Sequence, residues 1–327
     1  MKTTPALLAL TSVLVFTVCA APAQDAGAPK EEKKADEAEK PAEDPTAVMF
    51  KNAESAVDIG AFGTDQPVEP ADMPQRGILT FGPETFKHES MQHWEQWNWK
   101  SFKAKRSGRY AVRLTYTMKF AHLQTQFRFG DQALKKALPA AHKPAKHYLG
   151  EIYIKEPGDC VFALFAPASG AEAKLDILEL ALVPAPEGPM PKQLADGSII
   201  LEAKTATTWS ENMRYEPKPE KNCLGYWTSA DDLAEWVFEV TKPGKFNVSV
   251  FHGCGGGNHG SEVAVKAGGK ELKFKTEDTG GFQSWKEVKL GTVELTTAGK
   301  QRLQIDPVNK VKSAVLDVQK VVLTPAG

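Results

Sequence analysis

The feature that most constrains the fold is a strand pattern that occurs twice, in the same order, in the two halves of the chain. Each half carries five matching segments, of which the last two read Leu-Gly and Leu-Asp. The matching segments begin at Trp99, Arg106, Phe129, Leu149 and Leu175 in the first half, and at Trp236, Lys242, Gly268, Leu290 and Leu316 in the second. Because their separation exceeds the period of solenoid repeats, about 20–50 residues, the pattern predicts two duplicated domains.

Apolar and polar side chains alternate within these segments. Residues 246–250 show the alternation clearly, and it is typical of a strand with one buried face. Turn-forming triplets such as Lys-Pro-Gly recur along the chain and favour antiparallel sandwiches over a parallel sheet. Short helical stretches, such as residues 131–138, are the only helices expected. The sequence therefore predicts an all-β protein of two tandem antiparallel β-sandwiches, each of eight to ten strands.

The N-terminus predicts export. Residues 1–23 contain a positive charge, an apolar run at residues 6–18 and a small-x-small site, as secretory signal peptides do. The apolar run is shorter than the roughly 20 residues of a membrane span, so we expect a secreted or periplasmic protein without one. Cys19 offers a lipid anchor as an alternative, although residues 16–18 match the usual pattern of such anchors poorly.

Composition divides the remaining chain. Residues 24–46 have mixed charge and neither aromatic nor branched aliphatic side chains, so they cannot bury enough apolar surface to order and should form a disordered tether. The prolines of residues 185–197 predict a short, stiff linker. The expected order after the tether is an extended connector at 47–75, a first sandwich at 76–184, the linker, and a second sandwich at 198–327.

Charge and motifs exclude several classes of function. Lys and Arg total 40 against 41 Asp and Glu, a net charge of −1, so the basic field of a nucleic-acid-binding protein is missing. The sequence contains no Gly-x-Ser-x-Gly, P-loop or His-Glu-x-x-His motif, and no Gly-x-Gly-x-x-Gly that joins a strand to a helix. A glycosidase needs two carboxyl groups at a defined separation, which a sequence alone cannot display. We therefore predict a non-catalytic protein.

Three cysteines follow the signal peptide, so at least one is a free thiol or bridges two molecules. Cys223 and Cys254 lie in the same half and could pair with each other. Cys160 precedes an apolar stretch and is expected to be a buried small hydrophobe.

The glycine-rich stretch at residues 251–260 includes three side chains that can bind metal: His252, Cys254 and His259. No fourth ligand is evident. Five glycines in this stretch equally suit a tight turn between two strands, and a turn is the favoured interpretation.

Several segments of the second half resemble family 6 and family 35 carbohydrate-binding modules, which are galactose-binding-like jelly rolls. The resemblance is carried by residues 200–203, 225–227, 243–246 and 279–285. A nearer likeness is to accessory domains appended to secreted sulfatases and glycosidases, which have a similar Gly-Cys-Gly turn and Glu-Asp-Thr-Gly segment, here at residues 253–263 and 277–280. The first half shares the strand pattern but lacks the Thr-Gly-Gly-aromatic segment, so it is a weaker repeat of the same kind.

The resemblance implies a sugar site in a loop cleft between aromatic faces. By motif, Tyr226 and Phe282 would stack on the sugar and Asn309 would hydrogen-bond to it, with Phe282 standing where the family usually has Trp. Rim packing of the sandwich is the alternative role for the two rings. Glu202 matches a calcium position of the family, but Lys204 stands where a second acid is common, so calcium is not favoured.

In the first half, the densest aromatic run is residues 93–99. Alternation places Trp97 and Trp99 on one face, in the core. Trp94 lies just upstream, on the loop rim, and is the candidate ligand contact of this domain. The alternative is that Trp94 closes the end of the core.

These observations predict a secreted, non-catalytic carbohydrate-binding protein whose partner is a polysaccharide or glycan. Two weak sites on one chain would raise avidity. A protein-interaction or structural module of the cell envelope, docking a protein partner, is the first alternative. A hydrolase with an unrecognised site is the second.

Overall fold

A computed structural model describes residues 73–119, 123–168 and 174–327. The predicted signal peptide, the tether and the connector up to residue 72 lie outside the described residues. Within them the chain is all-β, with two short 3-10 turns at Pro83–Thr85 and Ala203–Thr205. The predicted fold class, tandem antiparallel β-sandwiches, is confirmed. The described residues contain no helix of the length and apolar character needed to cross a membrane.

The first sandwich contains eleven described strands. They are β1 (Leu79–Phe81), β2 (Phe86–Ser90), β3 (Trp94–Trp99), β4 (Phe102–Ala104), β5 (Gly108–Met118), β6 (Leu123–Phe129), β7 (Gln132–Leu138), β8 (Ala141–Ile154), β9 (Gly158–Cys160), β10 (Phe162–Pro167) and β11 (Leu175–Pro184). A four-stranded sheet has the order β1-β11-β5-β8, and a five-stranded sheet has the order β2-β3-β10-β6-β7. The short strands β4 and β9 pair with each other.

The second sandwich also contains eleven. They are β12 (Ile199–Glu202), β13 (Thr207–Trp209), β14 (Arg214–Glu216), β15 (Cys223–Gly225), β16 (Leu233–Val240), β17 (Gly244–Cys254), β18 (Glu262–Ala267), β19 (Lys270–Lys275), β20 (Gly281–Leu295), β21 (Gly299–Pro307) and β22 (Asp317–Pro325). One sheet has the order β14-β15-β22-β17-β20, with β12 also paired to β22, and the other has the order β13-β16-β21-β18-β19.

The two sandwiches share one strand order. The order β1-β11-β5-β8 corresponds to β12-β22-β17-β20, and the five-stranded sheets correspond strand for strand. Both Leu-Gly segments sit at a register shift, where Gly150 (φ +141°) and Gly291 (φ +123°) adopt backbone conformations that strain any residue with a Cβ. Among the described strands of the first sandwich, none corresponds to the β14–β15 hairpin.

The predicted helical stretch at residues 131–138 is wrong, because the chain there forms strand β7. Leu134 pairs with Phe127 and Leu138 pairs with Leu123 of β6. Burial of Leu134 and Leu138 in the core outweighs the helix propensity of this Ala/Leu/Lys-rich segment.

Each sandwich has its own core, and a third cluster joins them. Trp97 and Trp99 are buried in the first core, as alternation predicts, and Trp236 is buried in the second. Trp209 packs with Ala181 and Val183 of β11 at the junction. The two sandwiches belong to one compact unit of the chain.

Candidate functional site

Tyr226 directly follows β15, and the structure fixes the position of its ring. The residue is 47% exposed, and its backbone φ is +61°, a left-handed conformation that few non-glycine residues adopt. The guanidinium carbon of Arg214 lies 3.5 Å from the ring centroid, so a cation–π contact holds the ring. An exposed ring held in this way can stack on an apolar ligand face without losing much conformational freedom.

Four polar side chains meet beside this ring. We call Glu216, Cys223, Gln283 and Asp317 the Asp317 cluster. One ligand-type atom from each of Glu216, Cys223 and Asp317 lies within 4.8 Å of the others. The Cys223 thiol donates to Asp317 Oδ2 at 3.7 Å, and Gln283 Nε2 donates to the same oxygen at 2.9 Å.

The strands explain why these side chains meet. Glu216 pairs with Cys223 between β14 and β15. Their neighbours Tyr215 and Leu224 pack on the core, so alternation places Glu216 and Cys223 on the outer face of the sheet. A Cβ at Gly225 would collide with Glu216 Oε2, so only glycine lets this carboxylate lie across the strand.

Lys221 links the Asp317 cluster to the ring. Its ammonium group donates to Glu216 Oε1 and lies 5.8 Å from the centroid of the Tyr226 ring. The hydrogen bond to Glu216 raises the pKa of Lys221. The Lys221 ammonium group therefore lies between the Tyr226 ring and the Glu216 carboxylate.

Burial dominates the electrostatics of the Asp317 cluster. Asp317 is 6% exposed, and burial together with the nearby Glu216 carboxylate raises its pKa from 3.8 to about 7. Burial, then the charge of Asp317, raises the pKa of the Cys223 thiol, so this thiol stays protonated and acts as a donor. The arrangement offers carboxylate acceptors, an amide and a cation next to an aromatic face, which is the set of groups that a polyhydroxylated ligand needs.

The other residues predicted to contact sugar are not gathered here. Phe282 is half-buried at the start of β20, directly before Gln283. The side-chain oxygen of Asn309 accepts from the backbone N–H of Glu262 at 3.0 Å, on β18 of the opposite sheet, and so closes a loop. Within the described ranges, no hydrogen bond or ring contact joins Asn309 to Tyr226 or Phe282.

Trp94 lies in the first sandwich, and its predicted position on a loop rim is wrong. It is the first residue of β3, it is half-buried, and its ring centroid lies 5.8 Å from that of Phe165. It is therefore part of a sheet face rather than a loop.

The predicted metal positions are separate. Glu202 forms an ion pair with Lys204 at 2.7 Å. The ammonium group of Lys204 therefore occupies the charge of the carboxylate that the resemblance assigns to calcium. His252 is buried, with its ring 5.5 Å from that of Phe274, whereas His259 Nδ1 is 3.7 Å from Asp278. In the described part of the chain, Glu216, Cys223 and Asp317 are the group of three metal-type ligands that comes together.

The glycine-rich stretch is a structural turn, as its composition favours. The side-chain nitrogen of Asn258 donates to the carbonyl of Gly255, and its oxygen accepts from Ser313 and Ala314. Asn258 therefore pins the turn to the segment before β22.

Cys223 and Cys254, whose pairing the sequence leaves open, do not form a disulfide. Both thiols are free and buried, as is that of Cys160. Cys254 Sγ donates to the carbonyl of Val315 at 3.7 Å, while Cys223 donates to Asp317, so each thiol has its own partner.

Sequence reasoning missed Arg214, Glu216, Gln283 and Asp317. Asp317 and Gln283 lie inside segments that the sequence singles out, the closing Leu-Asp segment and the Thr-Gly-Gly segment. Arg214 and Glu216 lie on a three-residue strand with no periodicity, so only the fold reveals them.

A separate cavity of about 600 Å³ lies between the sandwiches. Its lining includes Tyr148 and Trp209, the carboxylates Glu151 and Glu235, and Arg302. None of the residues predicted from the sequence to bind a ligand lines it.

Comparison with known proteins gives similarities of several kinds. The C-terminal CBM6 of LamC, a marine laminarinase from Zobellia galactanivorans, is 17% identical over 39% of this chain and 98% of its own, with a TM-score of 0.31. A family 35 carbohydrate-binding module from Clostridium thermocellum is 14% identical over 39% of this chain and 98% of its own, with a TM-score of 0.33. These are the two families that the sequence resembles.

Longer coverage is found with a Paenibacillus xanthan lyase, 13% identical over 77% of this chain, with a TM-score of 0.30. The chain spans a quarter of the length of that lyase. A search of curated proteins finds no match. Residues 205–326, which include Tyr226 and the whole Asp317 cluster, match a family described as a domain of unknown function, DUF5077.

Proposed function

We propose that this chain is an exported, non-catalytic glycan-binding protein, and that its second sandwich binds sugar on the outer sheet face beside Tyr226. The observation that carries the proposal is an exposed ring, fixed by Arg214, next to buried polar groups. The C–H face of a pyranose stacks on an aromatic ring, while its hydroxyls donate to carboxylates and accept from amides and cations. Tyr226, Glu216 and Lys221 supply these three functions side by side.

The remaining elements of the proposal rest on the sequence. Export rests on the signal peptide predicted at residues 1–23. Phe282 precedes Gln283 on β20, so alternation directs its ring away from the face of Gln283, and we assign it to rim packing of the sandwich. The side-chain oxygen of Asn309 is engaged with Glu262, so we assign Asn309 to the loop rather than to the ligand.

Affinity gel electrophoresis of the full chain tests the proposal. The gels contain laminarin, xanthan, galactomannan or xylan, and retardation is compared with that in a polymer-free gel. We expect the wild type to be retarded by at least one polymer and Tyr226→Asn to be retarded much less. Asn suits the left-handed backbone at this position, so the variant removes the ring while keeping or raising Tm.

Val308→Ala is the matched control, because Val308 is also exposed but lies beside the opposite sheet. It should be retarded like the wild type. Equal retardation of Tyr226→Asn and wild type would place binding elsewhere. Absence of retardation in all four polymers would reject glycan binding and favour the protein-interaction module.

One observation favours glycoside hydrolysis as a second candidate function. Asp317 has a pKa of about 7 and lies within 4.8 Å of the Glu216 carboxylate, and glycosidases use two nearby carboxyl groups in different protonation states. Reducing ends released from the same four polymers decide between the two functions. Release that Asp317→Asn abolishes would establish hydrolysis, and no release is the result expected of a binding protein.

A further inference from the structure

The outer face of the five-stranded sheet of the first sandwich contains a buried polar group without a partner. Gln126 of β6 is 1% exposed, and neither its side-chain oxygen nor its nitrogen makes a hydrogen bond. Its neighbour Phe127 packs in the core, so alternation directs Gln126 to the opposite face. Native proteins rarely leave a buried amide unpaired without a reason such as a ligand.

Strand pairing surrounds Gln126 with further polar and aromatic side chains. It lies in a row of five residues that crosses the whole sheet: Glu89, Gln96, Phe165, Gln126 and Lys135. The row beside it contains Lys87, Asn98, Ala163, Arg128 and Ala133. Ala163 and Ala133 are the two small side chains of the second row, and they flank Arg128 on either side.

Two rings lie on the same face. Phe165 pairs with Gln126 and with Gln96, and the ring centroid of Trp94 lies 5.8 Å from that of Phe165. The side-chain nitrogen of Gln96 donates to Asn98. The face therefore combines an aromatic pair, an ordered amide pair and the unpaired amide of Gln126.

We propose that this face is a second glycan-binding site, in which Gln126 meets adjacent sugar hydroxyls and Trp94 and Phe165 contact the apolar side of the ring. A carboxamide presents a donor and an acceptor side by side, and a hydroxyl group can satisfy either one. A phosphate or sulfate would satisfy the donor alone, and a hydrocarbon would satisfy neither. The ligand class follows from the proposed function, whereas the place does not depend on Tyr226.

The test uses the full chain carrying Tyr226→Asn, so that the first sandwich alone can bind, in gels of the same four polymers. Gln126→Met keeps the length of the side chain and removes both unpaired groups. We expect it to raise Tm by several degrees and to weaken retardation at least tenfold in polymer concentration. Gln124→Met is the matched control, because Gln124 is exposed two residues away on the same strand face, and it should change neither quantity.

A retardation that survives Tyr226→Asn and disappears with Gln126→Met or Trp94→Ala supports the second site. Complete loss of retardation in Tyr226→Asn alone overturns the second site and leaves the site at Tyr226 standing. Loss of retardation in Trp94→Ala but not in Tyr226→Asn supports the second site and overturns the site at Tyr226. Unchanged retardation in Gln126→Met, with Tm lowered, overturns the inference by showing that the amide serves the fold.

Discussion

At the scale of single residues, the candidate site contains a carboxyl group whose ionisation lowers the stability of the fold. Asp317 holds its proton more tightly in the folded chain than in the unfolded one, since its pKa rises from 3.8 to about 7. The stability from this carboxyl group is therefore complete below pH 3.8 and is lost as the pH rises through 7. The ionised Asp317 carboxylate therefore lowers the stability of the fold above pH 7.

Asp317→Asn tests this cost. The amide oxygen can still accept from Gln283 and from the Cys223 thiol, but the group no longer ionises. We expect the variant to be more stable than the wild type at pH 8, by about 2–4 kcal/mol on the scale of 1.36 kcal/mol per pKa unit, and equal to it at pH 4. Thermal unfolding at both pH values measures the difference. Asp131→Asn, on an exposed carboxylate paired with Lys155, should change little at either pH, and a pH-independent effect of Asp317→Asn would contradict the explanation.

His252 has the opposite dependence on pH. Its ring is buried with both nitrogens unpaired, and burial lowers its pKa below 6.5. The unfolded chain therefore takes up the proton first as the pH falls, so the stability is complete above pH 6.5 and is lost below it.

We expect His252→Leu to gain Tm relative to the wild type, and to gain more at pH 5 than at pH 8. Leu fills the space against Phe274 without unpaired groups and without a proton to bind. The exposed His142, changed to Gln, provides the control in the same thermal unfolding series. An equal gain at both pH values would show that proton uptake by His252 does not contribute to acid destabilisation.

At the scale of elements, the sequence predicts the shared framework and misses the insertion that builds the site. The five paired segments lie on strands with equivalent places in the two sheets, because alternation and turn residues are local signals. The β14–β15 hairpin consists of two three-residue strands, too short for any period. It is nonetheless the element that brings Arg214 to Tyr226. It also brings Glu216 to Asp317, from which the chain separates it by about a hundred residues.

Gly225→Ala tests the hairpin as a support for the site. The added Cβ would displace the Glu216 carboxylate and with it the hydrogen bond to Lys221. We expect retardation by the binding polymer to weaken about tenfold with little loss of stability, because the displaced atoms are the far end of a flexible side chain. Gly244→Ala, where a Cβ meets nothing within 4 Å, is the control for both measurements. Full retention of binding in Gly225→Ala would remove Glu216 from the site.

At the scale of the whole molecule, a buried arginine couples the two sandwiches. Arg106, 4% exposed, precedes β5. It donates within the first sandwich to the hydroxyl of Tyr110 at 2.9 Å and across the junction to Thr208 and the carbonyl of Met213.

Its neighbour Lys105 also crosses the junction, to Glu211, but Lys105 is 66% exposed. Exposed ion pairs contribute little, whereas buried acceptors that lose their donor are costly. Cooperativity between the sandwiches should therefore depend on Arg106 and not on Lys105.

Differential scanning calorimetry of the full chain separates these contributions. The wild type should unfold in one transition, since the cluster around Trp209 and the bonds of Arg106 make each sandwich depend on the other. Arg106→Met leaves Thr208 and Met213 without their shared donor, so we expect the transition to divide in two, with the first midpoint several degrees lower. Lys105→Met should unfold like the wild type. A single, unshifted transition in Arg106→Met would mean that the sandwiches are coupled without Arg106. Two transitions would show that one hydrogen-bonded side chain makes the two sandwiches, and with them both proposed glycan sites, unfold as one unit.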